Sequence, residues 1–150
     1  MITEHDLQSL ISAAESAGFQ VNRNDLELLQ WNSGIQTHVP LPLPINNAAV
    51  YIFKWNDRYL KIGKVNANSN ARYQSQHYNP NSSNSNLSKS IMNEPEFVAL
   101  LGDTLPGVWL KTNTTRFNII IPANLGKNFV HFVEAFFILK CNPLFESTRA

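Results

Sequence analysis

Tyr51, Lys61, Lys64 and Arg72 follow one another closely enough to belong to one phosphate-handling site. Arginine presents a planar fork that matches two phosphoryl oxygens, and lysine offers a compact cation. A tyrosine beside them could take a proton from water once ionised, which near neutrality asks for a pKa lower by about 3 units, or ~4 kcal/mol of bias. Nearby cations favour the phenolate and so supply part of that bias. His77, with an ordinary pKa of ~6.5, offers a second route for the proton. Glu134 is a candidate of another kind. Its neighbours one helical turn away, Val130, Phe137 and Ile138, are apolar, and only His131 is polar. A carboxylate on such a stripe needs a metal, a protonated His131 or a buried arginine from elsewhere to neutralise it.

The elements that must position these groups begin with a β-hairpin. Residues 49–55 and 59–64 are rich in β-branched and aromatic side chains and flank an Asn-Asp pair. A three-residue loop at Asn56, Asp57 and Arg58 predicts Trp55 opposite Tyr59, Phe53 opposite Lys61 and Tyr51 opposite Gly63. Side chains alternate along a strand, so Tyr51, Lys61 and Gly63 share one face, while Val50, Ile52, Leu60 and Ile62 share the other. In this reading one face is core and the other is chemistry, and Lys64 joins the chemistry only if the strand bends at Gly63. Residues 3–17 read as an amphipathic helix, with Thr3 and Asp6 as an N-terminal cap pair and Gly18 as the stop. Residues 24–31 read as a second short helix ending at Gly34, and the alternating prolines at 40, 42 and 44 require an extended linker. A helix from Ser69 or Asn70 to about His77 carries Arg72. A surface loop at 79–86, two helical pieces over 86–101 broken near Pro95, a strand at 108–110, a strand at 114–121 and a last helix at 129–141 complete the chain.

With Ala49-Val50-Tyr51 and Lys61-Ile62-Gly63 on adjacent strands, Arg72 on the next helix, and Glu134 on a later helix followed by Pro143, the chain resembles the GIY-YIG nuclease superfamily, in particular its small standalone bacterial or phage-type members. The resemblance covers roughly residues 48–146. It implies a metal-dependent DNA endonuclease in which Tyr51 is the general base, directly or through Lys64 or His77. Arg72 would stabilise the phosphoryl transition state, and Glu134 would bind Mg2+ or, alternatively, Mn2+. Lys61 joins the catalytic set, and Gly63, Gln76 and Tyr78 are the expected substrate contacts. Three positions depart from the family pattern. Lys61 stands in place of the second tyrosine, Gln76 falls where a histidine or tyrosine is common, and Glu146 falls where an asparagine usually follows the proline.

These elements define an α+β fold, a small three-stranded mixed sheet flanked by helices, with an N-terminal helical arm and Pro-rich linker over 1–45 and the nuclease-like domain over 46–150. At 150 residues and 43% hydrophobic content, the chain can bury one real core. A start without a basic and apolar leader and a single cysteine fit a cytoplasmic protein without a membrane segment. Net charge is only +1, so no global field draws a polyanion. The charge is uneven, however: between 54 and 90, Lys54, Arg58, Lys61, Lys64, Arg72 and Lys89 oppose Asp57 alone. DNA is the expected partner, with a homodimer through the N-terminal arm as a further expectation. The rival readings are a module of the same fold that binds nucleic acid without cutting it, and a protein-interaction domain.

Overall fold

The computed structural model describes residues 1–32, 37–83 and 86–146. Four strands form one antiparallel sheet: β1 (Glu27–Trp31), β2 (Asn47–Trp55), β3 (Arg58–Val65) and β4 (Thr115–Pro122), in the order β1-β4-β2-β3. The expected three-stranded mixed sheet is therefore corrected to four antiparallel strands. The helices are α1 (Glu4–Ser16), α2 (Asn70–Gln74), α3 (Leu87–Met92), α4 (Pro95–Leu101), α5 (Pro106–Asn113) and α6 (Lys127–Cys141).

Both faces of the sheet are core, which corrects the division into a core face and a chemical face. On one side Val50, Ile52, Ile62, Phe117 and Ile119 pack beneath α1 and α6, through Leu7, Leu10, Val133 and Phe137. On the other, Tyr51, Phe53, Leu60 and Ile120 pack beneath α2 to α5, through Tyr73, Ile91, Phe97 and Trp109. A strand covered on both sides shows apolar residues in succession instead of alternation, which explains why β1 resembles a helix in sequence. Leu28 packs on the first core, whereas Leu29 and Trp31 pack on the second. Pairing with β4 along Glu27–Ile120 to Trp31–Arg116 then overrides the helical propensity of the leucines. The Gly34 stop lies outside the described residues.

The N-terminal segment is part of this core. The Thr3 backbone N–H donates to Asp6 Oδ2 at 2.8 Å at the start of α1, and Gly18 ends the helix at φ 86°, where a side chain would be strained. α1 covers β2, and β1 extends the sheet, so both elements are built into the core. Residues 108–110 are helical, not extended. Pro106 at the first turn of α5 starts the helix, and Pro106, Trp109 and Leu110 follow helical spacing on its buried face. The two helical pieces on either side of Pro95 form as α3 and α4, and α2 ends early, giving way to a 3-10 turn at Gln76–Tyr78.

The hairpin pairs Tyr51 with Gly63 and Phe53 with Lys61 as expected, but its turn is tighter. Asn56 takes a positive φ of 51°, a conformation asparagine tolerates, and Trp55 faces Arg58. A β-bulge at Phe53–Lys54 absorbs the extra residue, Leu60, and turns it into the Tyr51 side of the core. Beyond α6 the chain returns along the outer edge of β3, where Leu144 N–H donates to Tyr59 O at 2.9 Å and Phe145 N–H to Leu60 O at 2.8 Å.

Candidate active site

Tyr51 and Gly63 face each other on β2 and β3, and this pair organises the site. The phenol lies over Gly63 so closely that a Cβ there would collide with Tyr51 Oη and stand 2.6 Å from Cζ. Only glycine lets the ring reach across β3 toward the sheet's outer edge. The phenol is fully buried, and its oxygen has no hydrogen-bond partner of standard geometry. Burial pushes its pKa up to about 12; the nearby guanidinium groups of Arg72 and Arg116 pull it down, and Glu134 adds to the rise. Arg72 on α2 and Glu134 on α6 therefore both lie within electrostatic reach of Tyr51, although they come from opposite sides of the sheet. Both also act electrostatically on Lys61, on the edge strand β3.

Lys61 is nearly buried on the same edge, its Nζ 3.5 Å from Phe145 O. Burial lowers its pKa, Glu146 and Glu134 oppose that change, and Arg72 reinforces it. Lys64 pairs with Val50, so it points toward α6 rather than toward Tyr51. Its Nζ donates to Glu134 Oε2 at 2.8 Å, and His131 Nδ1 lies 3.8 Å from the same oxygen. The protein thus supplies a neutraliser outside the three that the sequence leaves open for Glu134, the lysine of the hairpin. Lys64, Glu134, His131 and Glu146 line a cavity of about 490 Å³. A larger cavity of about 660 Å³, between Phe19 and the start of α6, is apolar and lies among none of these groups.

His77 is buried against Tyr51, with ring centroids 4.6 Å apart. Its Nδ1 accepts the Leu87 N–H at 3.2 Å, which leaves the proton on Nε2, an atom without a partner. Burial, Arg116, Lys61 and Arg72 hold its pKa well below the usual histidine value. His77 can donate into the site but has no free lone pair with which to accept, so a proton relay through it loses its support. Gln76 is half-buried on the same turn, its carbonyl accepting from Ser82 Oγ at 2.7 Å. The Tyr78 hydroxyl is committed inside the protein: it accepts from Arg116 Nη1 at 3.2 Å and lies 2.9 Å from His38 Nε2. Since His38 Nδ1 meets the Thr114 carbonyl at 3.1 Å, the Tyr78 O–H is the donor to Nε2.

Sequence reasoning missed Arg116 and Asn118, both fully buried on the Tyr51 side of β4. Arg116 Nε donates to Asn118 Oδ1 at 2.9 Å, and its Nη2 to Tyr73 O at 2.7 Å. The available signal was two polar side chains at alternate positions of an otherwise apolar, β-branched strand. Among the described residues no three His, Cys, Asp or Glu side chains cluster as a metal cage. Mg2+ asks for less, one or two carboxylates beside a phosphate. Glu134 meets that requirement, because it already holds a cation, the Lys64 ammonium, at the rim of the 490 Å³ cavity.

Comparison of the chain with protein-family models, with curated proteins and with solved structures finds no match. Among the described residues no helix is long and apolar enough to cross a membrane.

Proposed function

We propose that this protein is a GIY-YIG-type endonuclease that hydrolyses DNA phosphodiester bonds with a divalent metal. The observation that carries the reading is that Arg72 from α2 and Glu134 from α6 both act electrostatically on Tyr51 and on Lys61, which lie on the adjacent strands β2 and β3. Glu134 would hold Mg2+ or Mn2+ in place of Lys64, and the metal would neutralise phosphate and leaving-group charge. Arg72 grips two phosphoryl oxygens as charge grows on them. Water attacks phosphorus, the bond to the leaving oxygen breaks, and the water proton passes to Tyr51 Oη. At about 12 the resting phenol is protonated, so forming the base near pH 7 costs on the order of 7 kcal/mol. Arg72 and Arg116 already act within that value, so the remaining cost would fall to the metal held by Glu134 and to Lys64 once it leaves Glu134.

Single-turnover cleavage of duplex DNA with Mg2+ tests the reading. Wild-type protein should cut, Arg72→Lys should lower the rate more than the affinity, and cleavage that survives Tyr51→Phe combined with Glu134→Ala sinks the mechanism. The second reading, a module that binds nucleic acid without cutting, is favoured by one observation: Glu134 is occupied by Lys64 while burial works against ionising Tyr51. It predicts salt-sensitive DNA binding with no product under any divalent metal.

A further inference from the structure

The side chain of Arg116 is fully buried near the start of β4, opposite Phe53 on one neighbouring strand and Trp31 on the other. Its guanidinium carbon lies 4.6 Å from the Trp31 ring, 4.8 Å from Tyr73, 5.0 Å from Phe53 and 5.2 Å from Tyr51. Its three hydrogen-bond acceptors are an amide oxygen, a phenol oxygen and a backbone carbonyl, all neutral. Aromatic faces offset part of the cost of burying a cation. A strut of the same volume made only of carbon would nevertheless often be as stable or more so. The charge therefore calls for a use beyond packing, and its contacts supply two. The carbonyl that Nη2 holds belongs to Tyr73, the residue after Arg72, on the short helix that must keep Arg72 beside Tyr51.

We propose that Arg116 is a positioning residue of the phosphodiester site: it pins α2, and with it Arg72, against β4, and it sets a fixed positive charge beside the Tyr51 ring. This use rests on the nuclease reading; the pinning and the field do not. The charged groups facing Tyr51 are Arg116 from β4, Arg72 from α2 and Glu134 from α6, with neutral His77 tilted against the ring from the 3-10 turn. Arg116 is thus a cation beside the phenol that neither substrate nor metal needs to bring.

The test places a fluorinated tyrosine, whose more acidic phenol titrates within the folded range, at position 51 of the full chain and reads it by 19F NMR. R116Q should raise that titration by about 1–2 pH units, whereas R116K, which keeps the charge but loses the fork, should raise it by less than half as much. R116K should also speed amide exchange across residues 72–74 and lower the single-turnover rate about 10-fold without weakening DNA binding. An unmoved phenol titration in R116Q, or unchanged exchange across 72–74 in R116K, overturns the proposal. If R116Q does not fold, R116K decides alone through exchange and rate. Should wild-type protein cut no DNA, the nuclease reading fails, and titration and exchange still judge Arg116.

Discussion

Gly63→Ala is the sharpest test of the geometry on which the site depends. An alanine in a strand is ordinarily better than glycine by roughly 0.5–1 kcal/mol, because glycine loses more freedom on folding. Here the added Cβ would stand 2.6 Å from Tyr51 Cζ and closer still to Oη. The ring cannot simply retreat, since Phe53, His77 and the Arg116 guanidinium lie around it at 6.1, 4.6 and 5.2 Å. Overpacking of this kind costs about 1–3 kcal/mol, so after the propensity gain is subtracted the net loss is up to ~2.5 kcal/mol, and Tm falls by up to roughly 10 °C in a domain of this size. In a Tyr51→Leu background the atoms that clash are gone, and the same substitution should be neutral or stabilising. Urea and thermal unfolding of the four proteins close the double-mutant cycle, with an expected coupling above ~1 kcal/mol. Equal effects of Gly63→Ala in both backgrounds would mean that the phenol does not lie over residue 63, and the site built on that contact would fall with it.

Lys64→Met frees Glu134 from its resident cation and should tighten Mn2+ binding about 3–5-fold, the equivalent of the ~1 kcal/mol that a partly exposed ion pair is worth; calorimetric titration measures it, and Glu134→Gln should abolish the binding. His38 is held neutral, its pKa lowered to about 4 by burial, with Arg116 and Lys111 adding to the fall against the Thr114 carbonyl. Because the unfolded chain takes up the proton first, stability should drop as pH falls from ~6.5 to about 4, by on the order of 3 kcal/mol. A His38→Asn variant should lose less over that window in urea titrations. Deleting residues 1–31 should abolish cooperative unfolding. It removes Leu7, Leu10, Ile11 and Ala14 from the core, and at about 1.5–3 kcal/mol for each large side chain the loss approaches the whole stability of a domain.

Local signals in the sequence reach as far as neighbours along the chain do. The register of the hairpin at Tyr51 and Gly63, the cap at Thr3, the stop at Gly18 and the helix break at Pro95 follow from residues a few positions apart, and each appears in the structure. Strand β1 does not, because its pairing partner lies some ninety residues away on β4 and its two-sided burial erases the alternation that marks a strand. The tighter turn with a bulge reached the expected register by a different route, which a count of loop residues could not separate from a three-residue loop. For the site, residue types on the hairpin pointed to the edge that the fold assembles, but the partners did not. Lys64 turning to Glu134 and Arg116 entering a ring of aromatic side chains are tertiary facts, settled by which face each strand position presents once the sheet is covered on both sides.

The return of the chain along β3 has a consequence for association. With Leu144 and Phe145 bonded to its outer edge, β3 offers a foreign strand little free backbone near the turn. At the other end of the sheet β1 has β4 on one side only, and no described strand lies on its far side. A second chain that adds to this sheet would therefore dock at β1, far from Gly63, so that self-association by strand exchange or by growing aggregates would leave the candidate site uncovered.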